Sequence, residues 1–215
     1  MSNPAETVGK RLNVLLGEIG QDPLEPIQSK CFDDYFTLLN RWNARVNLTA
    51  IRDQEGILRR HFVESIVCAR ALPAGISSLL DFGSGAGFPG IPISLCRQEI
   101  AVTLAESQGK KAAFLNEVVR VLGISAKVHH GRAELLTTTY DCLVLRAVDK
   151  MGEAVQAAAK LVRPDGCLAL MSTGVELETL KSAAGEEFAW SEVIPLPGGE
   201  NRILAMGIRA ISSPA

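Results

Sequence analysis

The chain lacks long apolar runs, paired cysteines, an excess of charge and any repeat, and each absence removes a class of protein. No stretch approaches the roughly 18 consecutive apolar residues of a membrane span. The N-terminal MSNPAETVGKRLNVLLGEIG carries charges throughout, so neither export nor membrane insertion is expected. Cys31, Cys68, Cys96, Cys142 and Cys167 are widely spaced, form no C-x-x-C pair and mostly sit in apolar runs such as SIVCAR and DCLVLRA. They read as small buried hydrophobes in a reducing, cytoplasmic compartment, not as a disulfide framework or a zinc site. His61, His129 and His130 complete no metal-ligand set. With 22 basic against 24 acidic residues the net charge is -2, so no global field draws the chain toward nucleic acid or an anionic membrane, and such binding needs a local patch. What remains is 215 residues, 47% hydrophobic and 21% charged, enough for one domain with at most a small appended element.

Residues 1–72 carry helical periodicity. Val8, Leu12, Leu15, Leu16 and Ile19 share one face of Pro4 to Ile19, with Gly20 as a stop, and Ile27, Phe32, Tyr35, Phe36, Leu39 and Trp42 repeat the pattern from Pro23 to Trp42. Ile57, Phe62, Ile66 and Ala69 predict a third helix. The intervening RWNARVNLTAIRD alternates apolar residues but is too rich in Asn and Arg to assign. After Gly75 the rhythm changes. SSLLDF, IAVTLAE, AKVHH, YDCLVLRA and CLALMS read as strands, and Ile91 to Cys96, Lys110 to Leu122, Gly152 to Val162 and Val175 to Ala184 as helices between them. That alternation predicts an α/β fold with a doubly wound, mostly parallel sheet over residues 73–215. FAWSEVIPL and RILAMGIRA, separated only by PGGEN, predict a closing antiparallel hairpin and bring the sheet to seven strands.

The segment Leu79 to Gly90, LLDFGSGAGFPG, spends five of its last eight positions on Gly or Pro. It is a strand, a bare loop and a helix start, with Pro89 and Pro92 where a missing N–H costs little. In open parallel sheets ligands sit at the carboxyl ends of strands, so glycines at 83, 85 and 87 expose backbone to a ligand there. Two ligands compete. Gly85, Gly87 and Gly90 formally match the dinucleotide pattern G-x-G-x-x-G. The pattern begins earlier, however, as D-x-G-x-G-x-G from Asp81, and an acid before the first glycine suits a cationic amino acid end better than a pyrophosphate. S-adenosylmethionine has such an end. Glu106 would accept from ribose hydroxyls in either case, and Glu134 would flank an adenine; the alternative of a turn that binds nothing stays open.

LLDFGSGAGFPGIPIS, LAESQGKKAAFL and GRAE, together with RWNARVNLTAIRD and RRHFVESIV, are similar to the RsmG family of bacterial small-subunit rRNA methyltransferases, also called GidB or glucose-inhibited division protein B. The resemblance runs from about Tyr35 to the C-terminal hairpin. It implies a class I, Rossmann-like enzyme that uses S-adenosylmethionine to methylate N7 of one guanine in a decoding-region stem-loop of 16S rRNA, with 16S rRNA or the 30S subunit as partner. By the same resemblance, Gly83, Phe88, Ala133, Glu134 and Arg146 contact the cofactor, and Glu106 stands where the family often has Asp for the ribose. Glu64 replaces a usual Asp, Leu145 a usual Ser and Thr173 a usual Lys. A monomer acting without metal is expected.

Guanine N7 bears an in-plane lone pair and no proton at neutral pH, so no catalytic base is assigned. Arg146 is the candidate for positioning: it would hold the cofactor's carboxylate, guanine O6 or a phosphate, or else serve as a structural arginine paired with Asp81 or Glu106. Residues 41 to 70 supply Arg41, Arg45, Arg52, Arg59, Arg60 and Arg70 against Asp53, Glu55 and Glu64, a local excess of +3 that makes a phosphate patch. Arg41, Arg45, Asn47, Arg59, Arg60 and His61 form the expected RNA-binding set, so residues 1–72 are read as a helical extension on the RNA-facing side of the core. His61 itself reads as a packed or capping histidine and Trp42 as core. Two rival functions remain: a small-molecule methyltransferase of the same fold, and a noncatalytic ribosome-associated module.

Overall fold

The structure, a computed structural model, describes residues 7–211. Thr7 opens α1 (Val8–Glu18), its hydroxyl accepting the Lys10 N–H at 3.3 Å. The expected start at Pro4 lies outside the described residues. α2 (Pro26–Asn43) begins at Pro26 instead of Pro23, where proline fits a first turn and the Glu25 N–H donates to Gln28 Oε1 at 3.0 Å. The third expected helix is composite: α3 (Gln54–Ile57), a π-helical stretch (Leu58–Val63) and α4 (Glu64–Ala71). Asp53 caps it, accepting the Gly56 N–H at 2.6 Å.

Strands and helices then alternate: β1 (Ser78–Phe82), α5 (Gly90–Cys96), β2 (Ala101–Glu106), α6 (Gly109–Leu122), β3 (Lys127–His130), a 3-10 turn (Ala133–Leu135), β4 (Tyr140–Arg146), α7 (Met151–Ala159), β5 (Val162–Thr173), α8 (Leu177–Ala184), β6 (Phe188–Trp190), β7 (Ile194–Pro195) and β8 (Arg202–Arg209). The order is β3-β2-β1-β4-β5-β8-β6, parallel from β3 to β5, with β8 antiparallel to both its neighbours. This is the doubly wound sheet with an antiparallel end that the sequence predicts. FAWSEVIPL, expected as one strand, is two pieces that both pair with β8. Ser191 interrupts it, its N–H and hydroxyl donating to the Met206 carbonyl at 3.0 and 3.2 Å, and Pro195 has no N–H for a ladder.

Period-two alternation sends Cys142 and Val144 of β4 to one face of the sheet and Leu143 and Leu145 to the other. The first face is covered by α1, α2, α4, α5 and α6 in one continuous core that runs from Leu12 and Phe32 to Leu204; α7 and α8 cover the second. The N-terminal helices therefore share the sheet's core. Tyr35 of α2 shows the consequence. Its hydroxyl donates to the Ala86 carbonyl at 2.6 Å and its ring stacks on Phe88 at 5.3 Å, so a helix props the glycine loop from below. Burial pushes the phenol well above its usual pKa and keeps it a donor.

Tyr35→Phe would leave a buried Ala86 carbonyl without its partner. We expect it to fold and to lose about 1–2 kcal/mol in urea unfolding, and unchanged stability would show that the loop does not depend on this bond.

Candidate functional site

The β1–α5 loop and the carboxyl ends of β2 and β4 border a cavity of about 410 Å³. It lies where the strand order reverses, at β1 between β2 and β4, the position at which open α/β sheets take ligands. Gly83, Gly85, Phe88, Glu106, Ala133, Glu134 and Arg146 all reach its wall, joined by Leu48, Thr49 and His61 from the helical segment. Asp81 and Gly87, also expected at the ligand, are not on the cavity wall; both lie buried under the loop and support it. A Cβ at Gly87, where φ is +91°, would fall 2.6 Å from Ile91 Cγ1 and 2.9 Å from Tyr35 Oη. Asp81 Oδ2 accepts the Gly90 N–H at 3.1 Å and ties the loop's end to the strand's end.

Glu106 is held rigidly at the wall. Its Oε2 accepts the Gly85 N–H at 2.9 Å and its Oε1 the Gln108 N–H at 2.7 Å, and the side chain is buried apart from its cavity edge. Asp81 is fully buried with Oδ1 unpartnered. Burial pushes its carboxyl up to about 7, against the Gly90 N–H and the charge of Arg146, which pull it down. Arg146 does not pair with Asp81 or Glu106. Its Nη2 donates to the Arg60 carbonyl and to His61 Nδ1 at 3.1 Å and forms an ion pair with Glu64 Oε2 at 3.1 Å, while Nη1 is buried without a partner. Burial lowers its pKa to about 10, and Glu64 opposes that shift.

His61 stacks on Phe88 with ring centroids 4.8 Å apart. A guanidinium can only donate, so Nδ1 must accept from Arg146; the ring proton is then on Nε2, facing Thr49 Oγ1 at 2.7 Å. Burial first, then the charges of Arg146, Arg60 and Arg202, push its pKa down to about 3. The imidazole is neutral, with both nitrogens engaged.

The model of the GidB family, described as rRNA small subunit methyltransferase G, matches residues 28–195. The chain belongs to this family. It is 38% identical over 196 residues to the ribosomal RNA small subunit methyltransferase G of Roseiflexus sp. (strain RS-1), covering 85% of this chain and 84% of that one. The same-named protein of Xanthomonas oryzae pv. oryzae is also 38% identical, over 80% of this chain and 83% of its own. In fold the chain is similar to a methyltransferase of Pyrococcus furiosus, with a TM-score of 0.61 at 12% identity over 82% of this chain and 96% of that one.

Within this GidB-family chain the expected RNA-binding residues are dispersed. Among them His61 alone lines the cavity. Arg41 pairs with Glu117, Arg59 with Glu18 at 3.0 Å and Glu55 at 2.8 Å, and Asn47 accepts from Arg52 at 2.8 Å. Arg45 is exposed and Arg60 faces Glu64 at 3.8 Å. Acids distant in sequence thus offset part of the local excess. Asn43, buried, accepts the N–H groups of Leu48 and Thr49 at 2.8 and 3.0 Å and folds the loop that carries both to the cavity. Among the described residues no group of three His, Cys, Asp or Glu could hold a metal, and no helix is long and apolar enough to cross a membrane.

Asp81→Asn keeps an acceptor for Gly90 and removes the titration. A carboxyl held above its unfolded value stabilises the fold below that value, 3.8, and the contribution is lost as pH rises through about 7. In urea titrations the wild type should lose stability relative to the variant between about pH 5 and 7, by at most about 1.4 kcal/mol per pH unit. A pH-independent difference would contradict the raised pKa.

Proposed function

We propose that this protein transfers a methyl group from S-adenosylmethionine to N7 of one guanine of 16S rRNA, with the free rRNA or the 30S subunit as partner, as a cytoplasmic monomer. The observation that carries the choice of atom is the state of His61. The imidazole on the cavity wall is neutral and bonded through both nitrogens, so it offers no free base, and N7 requires none. Membership of an rRNA methyltransferase family supports the substrate class.

The residues present fit the cofactor. Glu106, fixed by two N–H groups, has lone pairs left for vicinal ribose hydroxyls. Gly83 and Gly85 leave bare backbone for the amino acid portion, and the unpartnered Asp81 Oδ1 under the loop favours a cation above it. Phe88, at its exposed edge, and Ala133 give apolar contacts with the Glu134 acceptor nearby, as an adenine needs. When bound, S-adenosylmethionine supplies a methyl group activated by its positive sulfur. Guanine N7 carries a lone pair and no proton, so accepting that methyl would require no residue of the wall to take up a proton. The wall's task is to hold guanine and methyl in line and exclude water. Arg146, at the end of β4, lines that part of the cavity together with His61 and Thr49.

Incubation with labelled S-adenosylmethionine and 30S subunits or 16S rRNA from a strain lacking the endogenous enzyme should yield 7-methylguanosine at one site, identified by mass. Gly85→Asp, which sets a carboxylate beside Glu106 at a residue with φ +57°, should fold yet weaken cofactor binding by about 100-fold or more. Cofactor binding without label in RNA would overturn the proposal in favour of a small-molecule methyltransferase or a noncatalytic module.

A further inference from the structure

Beside the cavity three arginines converge on one buried acid. Glu64, with no exposed surface, is met by Arg146 Nη2 at 3.1 Å, by Arg202 through Nε at 3.2 Å and Nη2 at 3.0 Å, and by Arg60 Nε at 3.8 Å. At contact distance one negative charge faces three positive ones, and the buried Asp81 carboxyl feels Arg146 from farther off. His61 is neutral and bonded to Arg146, so it leaves the balance unchanged. Glu176 feels Arg202 from farther off, but its carboxylate accepts from Ser172 and Thr173 at 2.9 and 2.8 Å.

Two guanidinium nitrogens of the cluster, Arg146 Nη1 and Arg60 Nε, are buried without a hydrogen-bond partner. Arg146 itself is only 9% exposed. An unpaired cationic donor in such a place is costly unless an acceptor arrives. The cluster also has a way out: Arg146 lines the cavity, while the Arg60 side chain is 41% exposed. Gly198, in the turn before β8, lies against it, where a Cβ would fall 2.1 Å from Glu64 Oε1 and 2.8 Å from Arg60 Cδ. No side chain from that turn position competes for the free donors.

We propose that Arg60, Arg146 and Arg202, held around Glu64, form a seat for a backbone phosphate of the RNA beside the target guanosine. This deepens the proposed function and rests on it, since the RNA supplies the anion. Planar guanidinium groups present paired N–H donors that match phosphate oxygens, and a phosphate fixed at the cavity rim sets the distance of its own base from the methyl group. Arg202 lies beyond residues 28–195, so the seat joins the C-terminal hairpin to the matched segment. The same chemistry would suit the cofactor's carboxylate, and the test must separate the two anions.

Arg60→Gln and Arg202→Gln, singly and together, remove seat charges without touching the cavity wall. Filter binding of wild-type and variant protein to 30S subunits across a salt series reads the RNA directly, whether or not methyl is transferred. We expect the double variant to bind about tenfold more weakly and its log–log salt slope to fall by about one. Calorimetric affinity for S-adenosylhomocysteine should stay within about twofold of wild type. Lysine at both positions should restore the salt slope but only part of the affinity, because charge returns without the planar fork. Weakened cofactor binding with intact RNA binding would assign the seat to the cofactor's carboxylate and overturn the proposal. No change in either affinity would make the cluster purely structural and overturn it too. Salt-dependent binding of 30S without methylation would instead sink the proposed reaction while leaving the seat supported.

Discussion

The buried carboxylate of Glu64 is the point on which the cavity depends. Arg146 closes a strand with every residue buried, and burial, with the charges of Arg202 and Arg60 beside it, works against its charge. Leaving such a cation without a partner costs about 3–5 kcal/mol, so its place at the wall requires an acid beside it. Glu64 follows directly on the π-helical stretch, and Arg202 ties β8 to the same oxygens. Helical segment, central strand and C-terminal hairpin therefore meet at one charge.

A second constraint acts through packing. Phe88 of the glycine loop lies among Tyr35, His61 and Phe62, with centroids 4.8 to 5.3 Å away. Gly83 and Gly85 leave the loop's backbone open to the cavity, and Phe88, which also reaches the wall, anchors the loop in an aromatic cluster. Aromatic contacts of this kind add to the area they bury and fix the ring's orientation. The N-terminal helices are thus part of the site's wall and foundation, and a Rossmann-like core without them would lose Thr49, His61 and the support of Phe88.

The parts of this arrangement that were legible in the sequence are those set by local pattern. The strands are short apolar runs between loops, and Glu106 falls at a strand end beside a glycine loop, so both the fold and an acidic side chain at the cavity wall could be read. Even the π-helical stretch left a trace: Ile57 to Phe62 is a step of five, longer than an α-helical face repeats. Asp81, near the end of β1, and Gly87, in the loop after it, belong to the motif but are both buried beneath the loop. Glu64 and Arg202 are 138 positions apart, and their pairing is made by the sheet's topology, which no local pattern encodes. For the same reason Arg41 read as a free phosphate contact, although Glu117 of α6 faces it across the fold.

The decisive measurement is a crystal structure of the protein with S-adenosylhomocysteine. The nucleoside should lie in the cavity, its ribose hydroxyls on the Glu106 carboxylate, its adenine beside Phe88, Ala133 and Glu134, and its sulfur toward the end of β4 where Arg146 and His61 stand. A ligand bound elsewhere, or one whose ribose makes no contact with Glu106, would contradict this placement.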